Sequence, residues 1–248
     1  MQILGIDVGG SGIKGAIVDT EKGELITERF RLVTPQPATP DAMIETMIAI
    51  IRHFDWHGPI GCGFPAAVVN EIIRTAANID NSWIGVNASK RIEKETGCPV
   101  HLVNDVDAAA YAEMNFGAGV GEHGTVVMAA FGTGIGTAIF RNDQLIPNTE
   151  FGHVYLKNGK KAEHYSANSV REKNEMSWKK WGKRVNKYLQ YMEALFWPDL
   201  FIIGGGVSKD FDSFKEYIDV EARVVPAASR NHAGIIGAAL SAKDFAIS

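Results

Sequence analysis

The chain has 248 residues, 46% of them hydrophobic and 22% charged, enough to bury a sizeable core beneath a polar surface. A formal net charge of −4 excludes a globally basic nucleic-acid binder. Two distant cysteines, Cys62 and Cys98, build neither a disulfide framework nor a zinc site, and no apolar run reaches membrane-spanning length; the expectation is a cytoplasmic protein with free thiols.

Residues 3–8 read as a buried strand, the glycines after them as a tight turn, and residues 13–19 as a strand returning antiparallel. Gly23 marks a second turn into a third strand over residues 25–32. Residues 33–40 hold three prolines and form a loop, after which Asp41 precedes Met43, Met47, Ile48 and Ile51 at helical spacing. A short strand over residues 60–64 ends at Pro65, and Asn87 caps a helix through Glu95 that stops at Gly97. Residues 99–103 make another apolar strand, which runs directly into Asn104-Asp105-Val106-Asp107 and an alanine-rich helix to about Phe116. From Thr125 to Phe131 the opening pattern begins again.

The repetition is the most informative feature. Ser11-Gly12-Ile13-Lys14-Gly15-Ala16-Ile17-Val18 aligns with Thr133-Gly134-Ile135-Gly136-Thr137-Ala138-Ile139-Phe140 at an offset of 122 residues. Each copy follows a buried strand and precedes a turn and a Leu-Ile pair, at Leu25-Ile26 and Leu145-Ile146. Recurrence of a whole strand-turn-strand unit at half the chain length implies two lobes related by duplication.

Glycine-rich turns let backbone N–H groups converge on an anion that comes close to the chain. Taken singly, each is most simply a tight β-turn. Two of them, each with a Ser or Thr hydroxyl, fit a phosphate chain held from both lobes. Neither is a Walker motif, because the spacing before Lys14 is wrong and a strand follows. Asp7 ends the first strand, where it can hold Mg²⁺ directly or through water, or else cap turn amides; Lys14 adds a point charge or is solvated. A third run, Gly204-Gly205-Gly206, follows the apolar strand over residues 200–203, at a strand end of the kind where open α/β sheets bind ligands.

On the acceptor side, Asp105 opens a helix at the end of a strand, placed to take the proton of an attacking hydroxyl, or alternatively to cap that helix; Asp107 reads as a cap. Glu150-Phe151-Gly152-His153 lies in a loop between Pro147 and Val154 and supplies a carboxylate and an imidazole, the donors and acceptors a sugar needs.

Together, the motifs from Asp7 to Lys14, Asn104 to Ala109, Phe131 to Thr137, Glu150 to His153 and Gly204 to Ser208 resemble the ROK family of sugar kinases over nearly the whole chain. Asn78 to Trp83, Ser177-Trp178, Val225-Pro226-Ala227 and the run from Arg230 to Gly237 are similar to its polyphosphate glucokinase branch. The resemblance implies an α/β, duplicated actin-like ATPase (ribonuclease H-like) fold of two lobes with an interlobe cleft. The expected lobes are residues 1–105 and 106–248, with a C-terminal helix able to return to the first. It implies a homodimeric, Mg²⁺-dependent enzyme that phosphorylates the 6-hydroxyl of glucose from polyphosphate, ATP serving as well, with no nucleic acid or membrane as partner. A strictly ATP-dependent hexose kinase and a non-catalytic sugar-sensing ROK protein are the alternatives.

Residue by residue, Asp105 matches the general base. Gly63, Phe64, Pro65, Asn78, Asn104, Asp105, Glu150, His153 and, more loosely, Glu163 match sugar contacts. Asp7, Gly9, Gly10, Ser11, Lys14, Gly132, Thr133, Gly134, Thr137, Gly205 and Gly206 match the donor side. Many relatives carry a zinc-binding cysteine cluster after the Glu-x-Gly-His loop; none stands here, so no zinc is expected and His153 is assigned to sugar. Ala66 replaces a usual glycine after Pro65, leaving glucose against mannose open.

Residues 157–187 contain ten Lys or Arg and three Glu, a local +7 that leaves −11 elsewhere. From a Ser177 cap, Trp178, Trp181, Val185, Leu189, Met192 and Phe196 fall on one helical face, and Lys179, Lys180, Lys183, Arg184 and Lys187 on the other. The pattern alone reads as a solvated face. Only the resemblance assigns Lys180, Lys183 and Lys187 to a polyphosphate donor.

Overall fold

The computed structural model describes residues 1–77, 79–229 and 232–247, the side chains of residues 244, 246 and 247 excepted. The chain divides into two compact units, Met1–Asn115 with Asn231–Ser248, and Phe116–Arg230.

In the first unit, β1 (Gln2–Gly9) and β2 (Gly12–Asp19) pair antiparallel in full register, from Gln2 opposite Asp19 to Gly9 opposite Gly12. The third strand expected from the sequence is split into β3 (Glu24–Leu25) and β4 (Phe30–Leu32), both pairing with β2. Between them the ladder is broken by a side chain: Thr27 Oγ1 accepts from the Ile17 N–H at 3.0 Å. After α1 (Pro40–His53) comes β5 (Ile60–Phe64), then a small hairpin of β6 (Val68–Val69) and β7 (Ile72–Ile73). Then follow α2 (Ala88–Thr96), β8 (Val100–Asn104) and α3 (Asp105–Phe116). Asn87 caps α2 by accepting from the Lys90 N–H, and Gly97 ends it at φ 71°, the left-handed conformation a glycine adopts freely. The sheet runs β3-β2-β1-β5-β8, with β1, β5 and β8 parallel.

The second unit repeats this plan. β9 (Thr125–Phe131) and β10 (Ile135–Arg141) form the antiparallel hairpin, β11 (Gln144–Ile146) extends it, and α4 (Ala162–Ser166), α5 (Asn168–Lys173) and α6 (Trp178–Phe196) follow. β12 (Leu200–Gly204) and β13 (Arg223–Pro226) complete the order β11-β10-β9-β12-β13, with β9, β12 and β13 parallel. The two sheets share order and direction strand for strand, so the repeat in the sequence is a repeat of topology. This is the α/β, duplicated actin-like ATPase plan.

The chain then returns to the first unit with α7 (Ala233–Ile247). α3 also belongs there, with Ala112 buried beside Ile235 and Ala239 and Ala109 packed against that cluster, so the division falls after Asn115 and not after Asp105. Period-two alternation sorts β1: Leu4, Ile6 and Val8 join the core with α1, while Ile3 joins the α7 side. Gly5 and Gly61 lie on that second side, where an added Cβ would fall 2.1 Å from Ile235 O and 1.8 Å from Ala238 O. Helix backbone therefore rests directly on strand backbone. In the second unit Trp181, Val185, Tyr188, Leu189 and Met192 of α6 pack against Val127, Ala129, Phe131, Phe201 and Ile203. Among the described residues no helix is long and apolar enough to cross a membrane.

Candidate active site

In the first unit the parallel strands β1, β5 and β8 deliver Asp7, Gly63-Phe64 and Asn104 to one sheet edge, their carboxyl ends, where Asp7 is opposite Gly63 and Phe64 opposite Asn104. A Cβ on Gly63 would lie 3.3 Å from Ala108 Cβ, 3.7 Å from Asp105 Cα and 3.8 Å from Gly234 O, so Gly63 keeps α3 and α7 close to this edge. Asn104, which the sequence reading did not single out as a cap, caps α3: its Oδ1 accepts from the N–H groups of Val106 at 2.9 Å and Asp107 at 3.2 Å. Its Nδ2 donates to Ala66 O at 3.2 Å, tying the segment after Pro65 to the start of α3. The expected cap Asp107 is fully buried in the first helical turn. Asp105 is half-buried, with Oδ1 accepting from the Val106 N–H at 2.9 Å. Asn78 lies outside the described residues.

Asp7 Oδ2 faces Lys14 Nζ at 3.4 Å, a pair set by strand register and about a quarter exposed on each side. The same carboxylate packs on the first turn of α7, 2.9 Å from where a Cβ of Gly234 would stand. Gly10 and Ser11 form the two-residue loop between β1 and β2, and both are exposed. Arg31 from β4, which sequence reading missed, reaches over this loop and donates from Nη2 to Ser11 O at 2.8 Å.

In the second unit Gly132 and Thr133 are likewise exposed at the β9–β10 turn, and Ser169 of α5 braces it by donating from N to Gly132 O at 3.1 Å and from Oγ to Thr133 O at 2.6 Å. Gly152 seats the Glu150–His153 loop on β10, since a Cβ there would fall 2.0 Å from Ile135 O. Glu163 Oε1 stands 3.5 Å from Nε2 of both His153 and His164. Burial pushes the Glu150 carboxyl above its ordinary range; His153 offsets part of this and the Glu163 charge adds to it. Carboxylates and an imidazole are chemically able to accept from and donate to hydroxyl groups.

Two expectations shift. Thr137 is 1% exposed, its hydroxyl donating to Thr149 O at 2.9 Å and accepting from the Phe151 N–H at 3.1 Å, so it ties β10 to the Glu150–His153 loop and is withheld from a donor. Gly205, at φ 80° and with a Cβ position 2.4 Å from Phe131 O, is a glycine for its own backbone; only Gly206 borders open space. On α6, Lys179, Lys180, Lys183 and Lys187 are exposed, whereas Arg184 donates to Tyr165 O at 2.9 Å and lies 4.5 Å over that ring.

The polyphosphate glucokinase of Mycobacterium tuberculosis is 50% identical over 239 residues, covering 96% of this chain and 90% of its own. The inorganic polyphosphate/ATP-glucomannokinase of Arthrobacter sp. strain KM superposes with a TM-score of 0.92 at 39% identity, over 98% of this chain and 99% of its own. A ROK family glucokinase from Streptomyces griseus, solved with glucose and AMPPNP, shares the fold with a TM-score of 0.82 at 24% identity, over 98% and 100%. Residues 3–169 match the ROK family profile, and the chain belongs to the ROK family.

Proposed function

We propose that this protein transfers a phosphoryl group from inorganic polyphosphate, with ATP as a second donor, to the 6-hydroxyl of glucose. The observation that carries the phosphate half of the reading is a pair of glycines at duplicated positions. Neither Gly10 nor Gly132 has any atom within 4 Å of its would-be Cβ, and neither adopts a left-handed φ. Fold and conformation leave both positions open to a side chain, so their bareness fits an anion that approaches the backbone. The glucose half is supported by the 50% identity to the mycobacterial polyphosphate glucokinase.

In this reading Asp105 accepts the proton of the 6-hydroxyl as its oxygen attacks the terminal phosphorus; the bond from phosphorus to the bridging oxygen breaks, and the shortened polyphosphate, or ADP, departs. Asn104 Oδ1 takes the Val106 and Asp107 N–H groups, and Asp105 Oδ1 shares the first of these, so the two side chains hold the start of α3 together. Gly63, Phe64, Pro65 and Asn104 are assigned to the sugar, as are Glu150, His153 and Glu163. Gly9, Gly10, Ser11 and Lys14 are assigned to the donor, as are Gly132, Thr133, Gly134 and Gly206. Mg²⁺ fits the oxygen chemistry of Asp7, since it is commonly held by one or two carboxylates, water and substrate phosphates and needs no dedicated cage. Asp7 would hold it directly or through water, and the bound ion neutralises charge on the donor phosphates. The reading extends to a cytoplasmic homodimer.

A coupled assay with glucose, Mg²⁺ and either donor tests it. Asp105→Asn should lower kcat at least about a hundredfold with each donor while glucose Kd changes little. Undiminished transfer by that variant would remove Asp105 from the role of base.

A further inference from the structure

The two glycine turns are alike in sequence and opposite in charge. At the offset of 122 residues Gly12 corresponds to Gly134, and at each the charged end of a side chain from elsewhere stands where a Cβ would lie. At Gly12 the intruder is the Arg31 guanidinium, with Nε 2.3 Å and Cζ 2.9 Å from the would-be Cβ. At Gly134 it is the Glu163 carboxylate, with Oε2 at 2.7 Å. The first turn has thus acquired a cation where its duplicate has an anion.

We infer that Arg31 is a donor-binding residue whose guanidinium holds a phosphate group against the first glycine turn. This rests on the reading above that places the donor at that turn.

The position of Arg31 has no other evident electrostatic purpose. Strand register sets it directly opposite Lys14, and like charges paired across a ladder repel. Asp7 balances Lys14, but among the described residues no carboxylate lies within ion-pair distance of Arg31. One N–H of the planar guanidinium is spent on Ser11 O, which fixes the group over the turn. The remaining N–H groups form the fork that matches phosphate oxygens in pairs. Gly10, the residue before Ser11, has open space where a Cβ would stand, so a phosphate at the turn would meet bare backbone with the Arg31 charge held one residue along the chain, at Ser11.

The test uses the full chain and its Arg31→Gln and Arg31→Lys variants. Tripolyphosphate binding is measured by calorimetry over a range of salt, with donor and glucose KM from steady-state rates. Arg31→Gln should raise the tripolyphosphate Kd and the donor KM about tenfold, flatten the salt dependence of Kd and leave glucose KM unchanged. Arg31→Lys, which keeps the charge without the fork and preserves the fold should the glutamine variant unfold, should fall between. An unchanged Kd in both variants, or a lower melting temperature with Kd intact, would overturn the inference and leave Arg31 as a brace for the turn. Because binding is read separately from turnover, a wild-type chain that binds tripolyphosphate without transferring phosphate would refute the proposed function alone. A wild-type chain that does not bind it at all would refute the inference.

Discussion

Glu71 shows how one side chain can hold the surroundings of a site. It and Asn70 form the β6–β7 turn at φ 61° and 53°, a conformation unfavourable for residues with a Cβ. The Glu71 carboxylate reaches Ser89 Oγ, the Leu102 N–H at 3.3 Å and His101 Nδ1 at 3.0 Å, fastening the hairpin to β8 just before Asn104. Burial alone would raise its pKa, but the hydrogen bonds from His101 and Ser89, the His101 charge and the Leu102 N–H outweigh burial and hold it below the ordinary value of 4.5. An acid with a depressed folded pKa stabilises the fold above its unfolded value, and that contribution is lost as pH falls through the folded pKa. Glu71→Gln should therefore cost roughly 1 kcal/mol near pH 7 in urea unfolding, the gap to wild type closing below about pH 4.5. A gap independent of pH would assign the effect to the turn backbone. Nothing in the local sequence announces this residue. Asn104-Asp105 was legible as a strand-to-helix junction with Asp105 or Asp107 as the cap, but that Asn104 takes the Val106 and Asp107 N–H groups depends on side-chain direction.

At the scale of elements, bare glycine backbones serve two purposes that composition cannot separate. Gly237 of α7 is needed for packing, since a Cβ there would fall 1.5 Å from Ala108 O of α3. Gly237→Ala should destabilise the protein by about 1–3 kcal/mol or more, seen as an earlier urea midpoint, because neither helix backbone can retreat from a close-packed contact. Gly10→Ala should leave the urea midpoint nearly unchanged and raise donor KM several-fold; an unaltered donor KM would show that the open backbone is not used. The Gly-rich turns stood out in the sequence, whereas for α7 the resemblance alone suggested a return to the first lobe and the residues did not show the surface that receives it. Its small residues carry a weak amphipathic signal, and its face is defined by the glycines of β1 and β5 that receive it. The third strand fails for a related reason: the Thr27 hydroxyl takes the Ile17 N–H and interrupts the ladder within residues 25–32.

For the whole molecule, charge is distributed unevenly along the chain, +7 over residues 157–187 against −11 elsewhere, with Lys179, Lys180, Lys183 and Lys187 exposed on α6. A long polyanion responds to such a stripe more than a compact nucleotide does. Neutralising Lys180, Lys183 and Lys187 together should raise KM for polyphosphate more than KM for ATP, with the difference shrinking at high salt. Equal changes for both donors would leave the stripe as a solvated face. The sequence by itself determined the duplication, both glycine turns, the strand-to-helix junction at Asp105 and the family, because each is written in contiguous residues at fixed spacing. Only the tertiary structure decided that Arg31 stands over Gly12 and Glu163 over Gly134, that Thr137 is a buried tie, and that α7 seats its backbone on Gly5 and Gly61 of the first sheet. Periodicity specifies which face of an element is apolar, but the partner that meets that face is selected by packing among residues distant in the chain.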